Sequence, residues 1–273
     1  MPARALLLAL VLVASAGSEL VLFQHKLEAA PAPQVGHPYG VAAGPAGAAF
    51  VADGTAGRIL RLDLRSRRLT VHASGFVEPT GIAYGGGVVY VADFGAGLVR
   101  RVGRDGTVST LARLRQVASV AVAGTTVYAV SFDGTLARIS GGRLERVRVR
   151  GGLARPHGVT ALRDGTLLVT EDGKRVSRVD PRTGARTLAF GGGDAHRVAV
   201  AADGTLFVAG GTVDRGRLRR VAPKGAARTL IDDLHVSDVA VVGPSTLLVS
   251  AVEPGSLWRV DARTGARTKL AGG

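Results

Sequence analysis

A unit of about forty residues recurs six times along the chain, and this period limits the available folds more than any other feature. A short apolar strand begins after Gly40, Gly81, Ser119, Gly158, Arg197 and Asp238, at intervals of 41, 38, 39, 39 and 41 residues. A second apolar run follows each time, as in Phe50-Val51-Ala52-Asp53, Tyr90-Val91-Ala92-Asp93 and Leu168-Val169-Thr170-Glu171. Turns such as Asp164-Gly165 and Asp203-Gly204 separate the two runs, with Gly supplying the positive φ of a tight hairpin. A third strand carries Arg at one register in all six units: Arg61, Arg101, Arg138, Arg178, Arg220 and Arg259. A fourth follows turns of the kind Pro181-Arg182-Thr183-Gly184. Four short strands per unit predict an all-β chain, a six-bladed β-propeller of four-stranded antiparallel blades over residues 38–273. The blades fall at about 38–75, 76–114, 115–151, 152–191, 192–234 and 235–273. No unit can bury both faces alone, so each must pack between two neighbours. The 39 Gly among 273 residues fit many tight turns and argue against helices.

Ahead of the repeats, Arg4 precedes an apolar run from Ala5 to Ala14, and Ala14-Ser15-Ala16 has the small-x-small form of a cleavage site. Residues 1–16 are therefore expected to be a signal peptide, and the protein exported to the periplasm or the extracellular space. The alternative is an uncleaved N-terminal membrane anchor, which would place Glu19 in hydrocarbon at considerable cost. Residues 17–37 form a lead, either flexible or paired as an outer-edge strand through Leu20 to Leu27. With no Cys, the chain has no disulfides, thiolate metal sites or Cys nucleophile. Its net charge of +14 would favour an anionic polymer as partner. Nucleic acid is not expected, because only 4% of residues are aromatic and no Arg-interleaved stacking platform is evident. A monomer is expected.

In a propeller, the loops entering the first strand and leaving the second lie on one face around the axis. That face should carry His37, His157, His196 and His235, with Asp53, Asp93 and Glu171 at second-strand ends. Imidazole and carboxylate meeting at an axial mouth can hold a divalent cation such as Mg²⁺ or Ca²⁺, or act as a general base with its orienting partner. The candidate metal ligands are Glu171, His157, Asp53 and Asp93, and the candidate catalytic residues are His157, Glu171 and His196. His37, Tyr39, Arg155 and His235 are candidates for a ligand-binding mouth. There is no Gly-x-Ser-x-Gly elbow, His-Glu-x-x-His or phosphate loop.

The pattern Pro-x-Gly-Val-Ala, Val-Ala-Asp, Arg-Ile-x-Arg-x-Asp resembles NHL-type repeats and the gluconolactonase and strictosidine-synthase-like propellers. Unit four, with Pro156-His157-Gly158-Val159-Thr160, Thr170-Glu171 and Arg178-Val179-Asp180-Pro181, is similar to a blade of the virginiamycin B lyase family. That resemblance implies that His157 and Glu171 help bind a magnesium ion and carry proton transfer. The family also has a Glu two residues before the His, where this chain has Arg155. In the gluconolactonase pattern the metal-binding Glu would fall near His37, and the Asn ligand has no counterpart because the chain contains no Asn. The expected function is binding of a small molecule or protein at the axial mouth without established catalysis. A metal-assisted lyase or hydrolase using His157 and Glu171 is the alternative.

Overall fold

Alternation along the second strand of each unit explains how the units assemble. In the structure, a computed structural model that describes residues 34–212 and 215–272, the strand Ala48–Asp53 is buried at every position. Ala49 and Val51 turn toward one neighbouring sheet while Phe50 and Ala52 turn toward the other, as the period of two requires. An uninterrupted apolar strand thus has two covered faces. The proposed signal peptide, its cleavage site and the lead up to residue 33 lie outside the described residues.

Six four-stranded antiparallel sheets occupy residues 38–74, 79–113, 117–147, 156–190, 197–231 and 236–272. Each is a meander with its strands in sequence order, and the described residues contain no helix. The first strand of each sheet packs beside the first strands of the sheets on either side, and that of the sixth beside that of the first. The chain is a six-bladed β-propeller whose first strands surround the axis.

Among the described residues, the buried apolar side chains form six clusters, one at each blade junction. The ring closes where Val41, Val51 and Leu60 of blade one meet Leu248, Leu257 and Leu270 of blade six. All four strands of the sixth sheet come from the C-terminal end of the chain, so no shared strand joins the termini. Closure depends on this apolar junction and on cross-blade bonds. The Val41 N–H donates to the Asp238 carboxylate (3.0 Å), the Ser237 hydroxyl to the Tyr39 carbonyl (2.8 Å), and Arg259 to the Leu64 carbonyl.

Small residues allow the first strands to crowd together. A Cβ on Gly40 would lie 2.2 Å from the Thr80 carbonyl oxygen, and one on Gly81 only 2.5 Å from the Ser119 Cα. The six third-strand arginines sit opposite Phe50, Tyr90, Tyr128, Leu168, Phe207 and Leu248 on the second strands. Their stems can cover large apolar neighbours while the guanidinium heads reach polar partners.

Candidate ligand-binding mouth

The residue just before the crowded position of each first strand faces the axis. These residues are Tyr39, Thr80, Ala118, His157, His196 and Ser237, one from each blade, and all six line a cavity of about 440 Å³ at one end of the axis. His37, Glu78 and His235 from the preceding loops, and Phe94, Phe132, Val252 and Glu253 from the loops after the second strands, complete its wall. All four histidines placed at the mouth by the repeat phase are there, as is Tyr39, whose ring meets that of His37 edge-on at 6.4 Å. Arg155 is exposed and does not line the cavity. Its backbone has a positive φ of 40° and its carbonyl accepts the Asp172 N–H.

Four rings form an arc along one side of the mouth. Phe94 meets Phe132 edge-on with centroids 5.6 Å apart, Phe132 meets His157 at 4.9 Å, and His157 stacks on His196 at 4.8 Å with 16° between the planes. Burial lowers the pKa of His157 to about 4, with His196, Arg197 and Arg155 adding to the shift and Asp172 opposing it. Burial likewise lowers that of His196, with help from Arg197. Both imidazoles are neutral at physiological pH, so the arc is an uncharged wall of edge-on and stacked rings with polar ring nitrogens.

The carboxylates occupy a different place from that expected. Asp53, Asp93 and Glu171 are wholly buried at second-strand ends, do not line the mouth, and fasten the loop that leads into their own blade. Asp53 accepts the N–H groups of Gly36 (3.3 Å) and His37 (3.0 Å) and pairs with Arg58 at 3.0 Å. Asp93 accepts those of Val77 (3.0 Å) and Glu78 (2.9 Å), with Arg100 at 3.9 Å. Glu171 accepts the Ala154 N–H (2.9 Å) and the Ser177 hydroxyl (2.5 Å), and pairs with Arg186 at 3.0 Å. In blade three, Ser131 takes the equivalent place and donates to the Arg115 carbonyl (2.6 Å). Loop N–H groups shielded from water need acceptors, which the three carboxylates supply, while Ser131 satisfies a loop carbonyl instead.

His157 lines the mouth, whereas Glu171 lies outside its wall and is engaged by Ala154, Ser177 and Arg186. Among the described residues, no group of three or more His, Cys, Asp or Glu side chains could hold a metal ion. Mg²⁺ and Ca²⁺ require oxygen ligands. Asp53 and Glu171 are committed to backbone and arginine. Asp93 binds two backbone N–H groups through Oδ1, and its buried Oδ2, 3.9 Å from Arg100, belongs to no group of metal-ligating side chains. The residues present therefore do not fit the ion that the family resemblance implies.

Sequence reasoning passed over two residues at the base of the mouth. Where four blades place Gly40, Gly81, Ser119 and Gly158, blades five and six place Arg197 and Asp238. Arg197 lines both the mouth and a second axial cavity of about 260 Å³ beyond it, walled by the first strands of all six blades. Its Nη1 donates to the carbonyls of His157 and His196, the latter at 3.2 Å, and its Nη2 to that of Ala118 at 3.3 Å. Asp238, in the second cavity, accepts the N–H groups of Val41 and Val239, and burial raises its pKa to about 6 against the opposing pull of Arg197. The signal that would have revealed both was their departure from a small residue in the repeat.

A second feature lies on the outside. A groove of about 800 Å³ between blades three and four is lined by Arg138, Arg146, Arg148, Arg150 and Arg182. Arg146, Arg148 and Arg150 are exposed, while the alternate Val147 and Val149 pack inward. Four of these arginines already lie within residues 138–150 of the sequence, and the fold adds Arg182 from the next blade; Glu145, the partner of Arg138, lines the groove with them.

No family model matches the chain, and a search of curated proteins finds no match. Comparison with solved structures finds 1161 similar chains, so the likeness identifies a widely used fold. A gluconolactonase from Xanthomonas campestris is 18% identical with a TM-score of 0.70, the match covering 83% of this chain and 86% of that one. A streptogramin B lyase is 14% identical with a TM-score of 0.63, covering 87% and 83%. A chain of the nidogen/laminin complex is 16% identical with a TM-score of 0.69, covering 81% and 91%. These similarities establish the six-bladed propeller architecture, shared with lyase-like, gluconolactonase-like and protein-binding propellers.

Proposed function

We propose that this chain is an exported binding propeller that takes a small, flat, largely apolar ligand at its axial mouth and carries out no reaction on it. The observation that carries this reading is the arc of Phe94, Phe132, His157 and His196 on the wall of a 440 Å³ cavity, with its two imidazoles held neutral. Concave sites with apolar walls and a few polar groups are the usual form of small-molecule sites. Export rests on the charged, apolar and small-residue order of residues 1–16. A metal-assisted lyase or hydrolase would require Glu171 to leave Ala154, Ser177 and Arg186, exposing their buried groups.

Thermal melting in the presence of small aromatic compounds, Mg²⁺ and Ca²⁺ separates these readings, since a ligand bound by the native state raises the melting temperature. Aromatic compounds are expected to raise it, and Phe132→Ala to abolish the rise. A rise with Mg²⁺ or Ca²⁺ that Glu171→Gln abolishes would favour the metal-assisted enzyme instead. The basic groove between blades three and four favours a second, separate reading, docking of an anionic polymer on the outer surface.

A further inference from the structure

We propose that the ligand of the mouth is a monocarboxylate with a flat apolar body, its carboxylate held by Arg197 at the cavity floor. This rests on the mouth being a ligand site and names the class of ligand. The first support is positional. Where Arg197 stands, blades one to four carry glycine or serine and blade six carries Asp238; the first strands approach closely here, and an added Cβ at Gly158 would already meet the His196 carbonyl at 2.8 Å. A guanidinium at such a place carries a desolvation cost, which its bonds to the Ala118, His157 and His196 carbonyls of blades three to five offset only in part, because they leave donors over.

The second support is the number of donors left over. Three carbonyls fix the guanidinium, but the buried Arg197 Nε–H has no acceptor. Nη2, bonded only to Ala118, keeps a second hydrogen. Nε and Nη2 share one edge of the guanidinium, and a carboxylate can accept from such an edge with both oxygens. His235 Nδ1 is likewise buried without a partner, and His235 lines the same cavity. Arg197 forms no ion pair within contact distance among the described residues; Asp238, which feels its charge from the second cavity, accepts two backbone N–H groups and no hydrogen from the guanidinium.

The third support is the distribution of charge along the cavity. With His157 and His196 neutral, Arg197 is the cation of the floor. Glu78 and Glu253 line the cavity as well, with Glu253 exposed and Glu78 close enough to Tyr39 to add to the upward shift that burial gives the Tyr39 pKa. A second negative charge on the ligand would meet these carboxylates, which selects for one anionic group at the floor and an uncharged body along the arc.

Isothermal titration of the protein with matched pairs decides the matter: benzoate against benzamide and phenylacetate against phenylacetamide. The acids should bind at least about tenfold more tightly than the amides. Arg197→Gln should reduce that ratio to about one while leaving amide binding intact, and Arg197→Lys should give an intermediate ratio because it keeps the charge without the fork. Amides binding as tightly as acids to the wild-type protein would overturn the proposal and leave the mouth as a ligand site. Absence of binding by either member of both pairs would overturn this proposal and count against the ligand site as well. The wild-type ratio decides even if Arg197→Gln fails to fold.

Discussion

His157 and Asp238 lie near one another in the repeat scheme yet respond to acid in opposite directions. Burial takes His157 from an ordinary 6.5 to about 4, so between these values the unfolded chain binds a proton that the folded chain does not. Its contribution to stability is lost as pH falls through that range. Asp238 moves from 3.8 to about 6, so the folded chain holds the extra proton, and stability is lost as pH rises between those values. Across roughly pH 4 to 6 the two slopes oppose each other. Asp238→Asn should therefore make the protein lose stability more steeply than wild type on acidification, and His157→Gln should make it lose stability less steeply. Urea unfolding at a series of pH values reads both slopes directly. Unchanged slopes in both variants would show that neither group titrates as its burial requires.

At the scale of the element, the second strand does two jobs: its apolar positions join neighbouring blades, and its last residue fastens the loop leading into its own first strand. Asp53→Ala would leave the Gly36 and His37 N–H groups and Arg58 without their acceptor, at a cost of roughly 3–5 kcal/mol. Glu145→Ala, which removes the exposed partner of Arg138, should leave stability nearly unchanged, because solvent screens the pair. Chemical denaturation of the two variants measures the difference, and equal costs would deny Asp53 its fastening role. The strands themselves were legible because period-two apolar runs, Asp-Gly turns and a forty-residue repeat all agree. The four mouth histidines were legible for the same reason, since repeat phase fixes which end of the axis a loop occupies. Asp53, Asp93 and Glu171 were misplaced because phase gives a residue's height along the blade and not the direction of its side chain. That direction is set by the N–H groups of the adjoining loop. Arg197 and Asp238 escaped notice because they occupy strand starts, where the regular spacing drew attention away from the change of residue type.

The whole ring separates two surfaces that composition alone merges. The net charge of +14 draws on all blades, but five arginines line the outer groove, four of them within residues 138–150, while the mouth holds the rings of its arc, Arg197 and two glutamates. Retention on a heparin column should accordingly be strongly salt-dependent, and Arg148→Glu with Arg150→Glu should shift elution to distinctly lower salt; unchanged elution would remove the groove as a polyanion surface. Neither substitution should affect binding at the mouth, because each surface is built from different loops. A ligand seated at the axial mouth would touch the histidines that line it. The most direct measurement follows the imidazole signals of the histidines by nuclear magnetic resonance while benzoate is added. Signals of His157, His196 and His235 should move together and saturate, while that of His72, packed against Phe50 on an outer strand, stays in place. Movement of His72 alone, or of no histidine while binding is detected by calorimetry, would contradict the account.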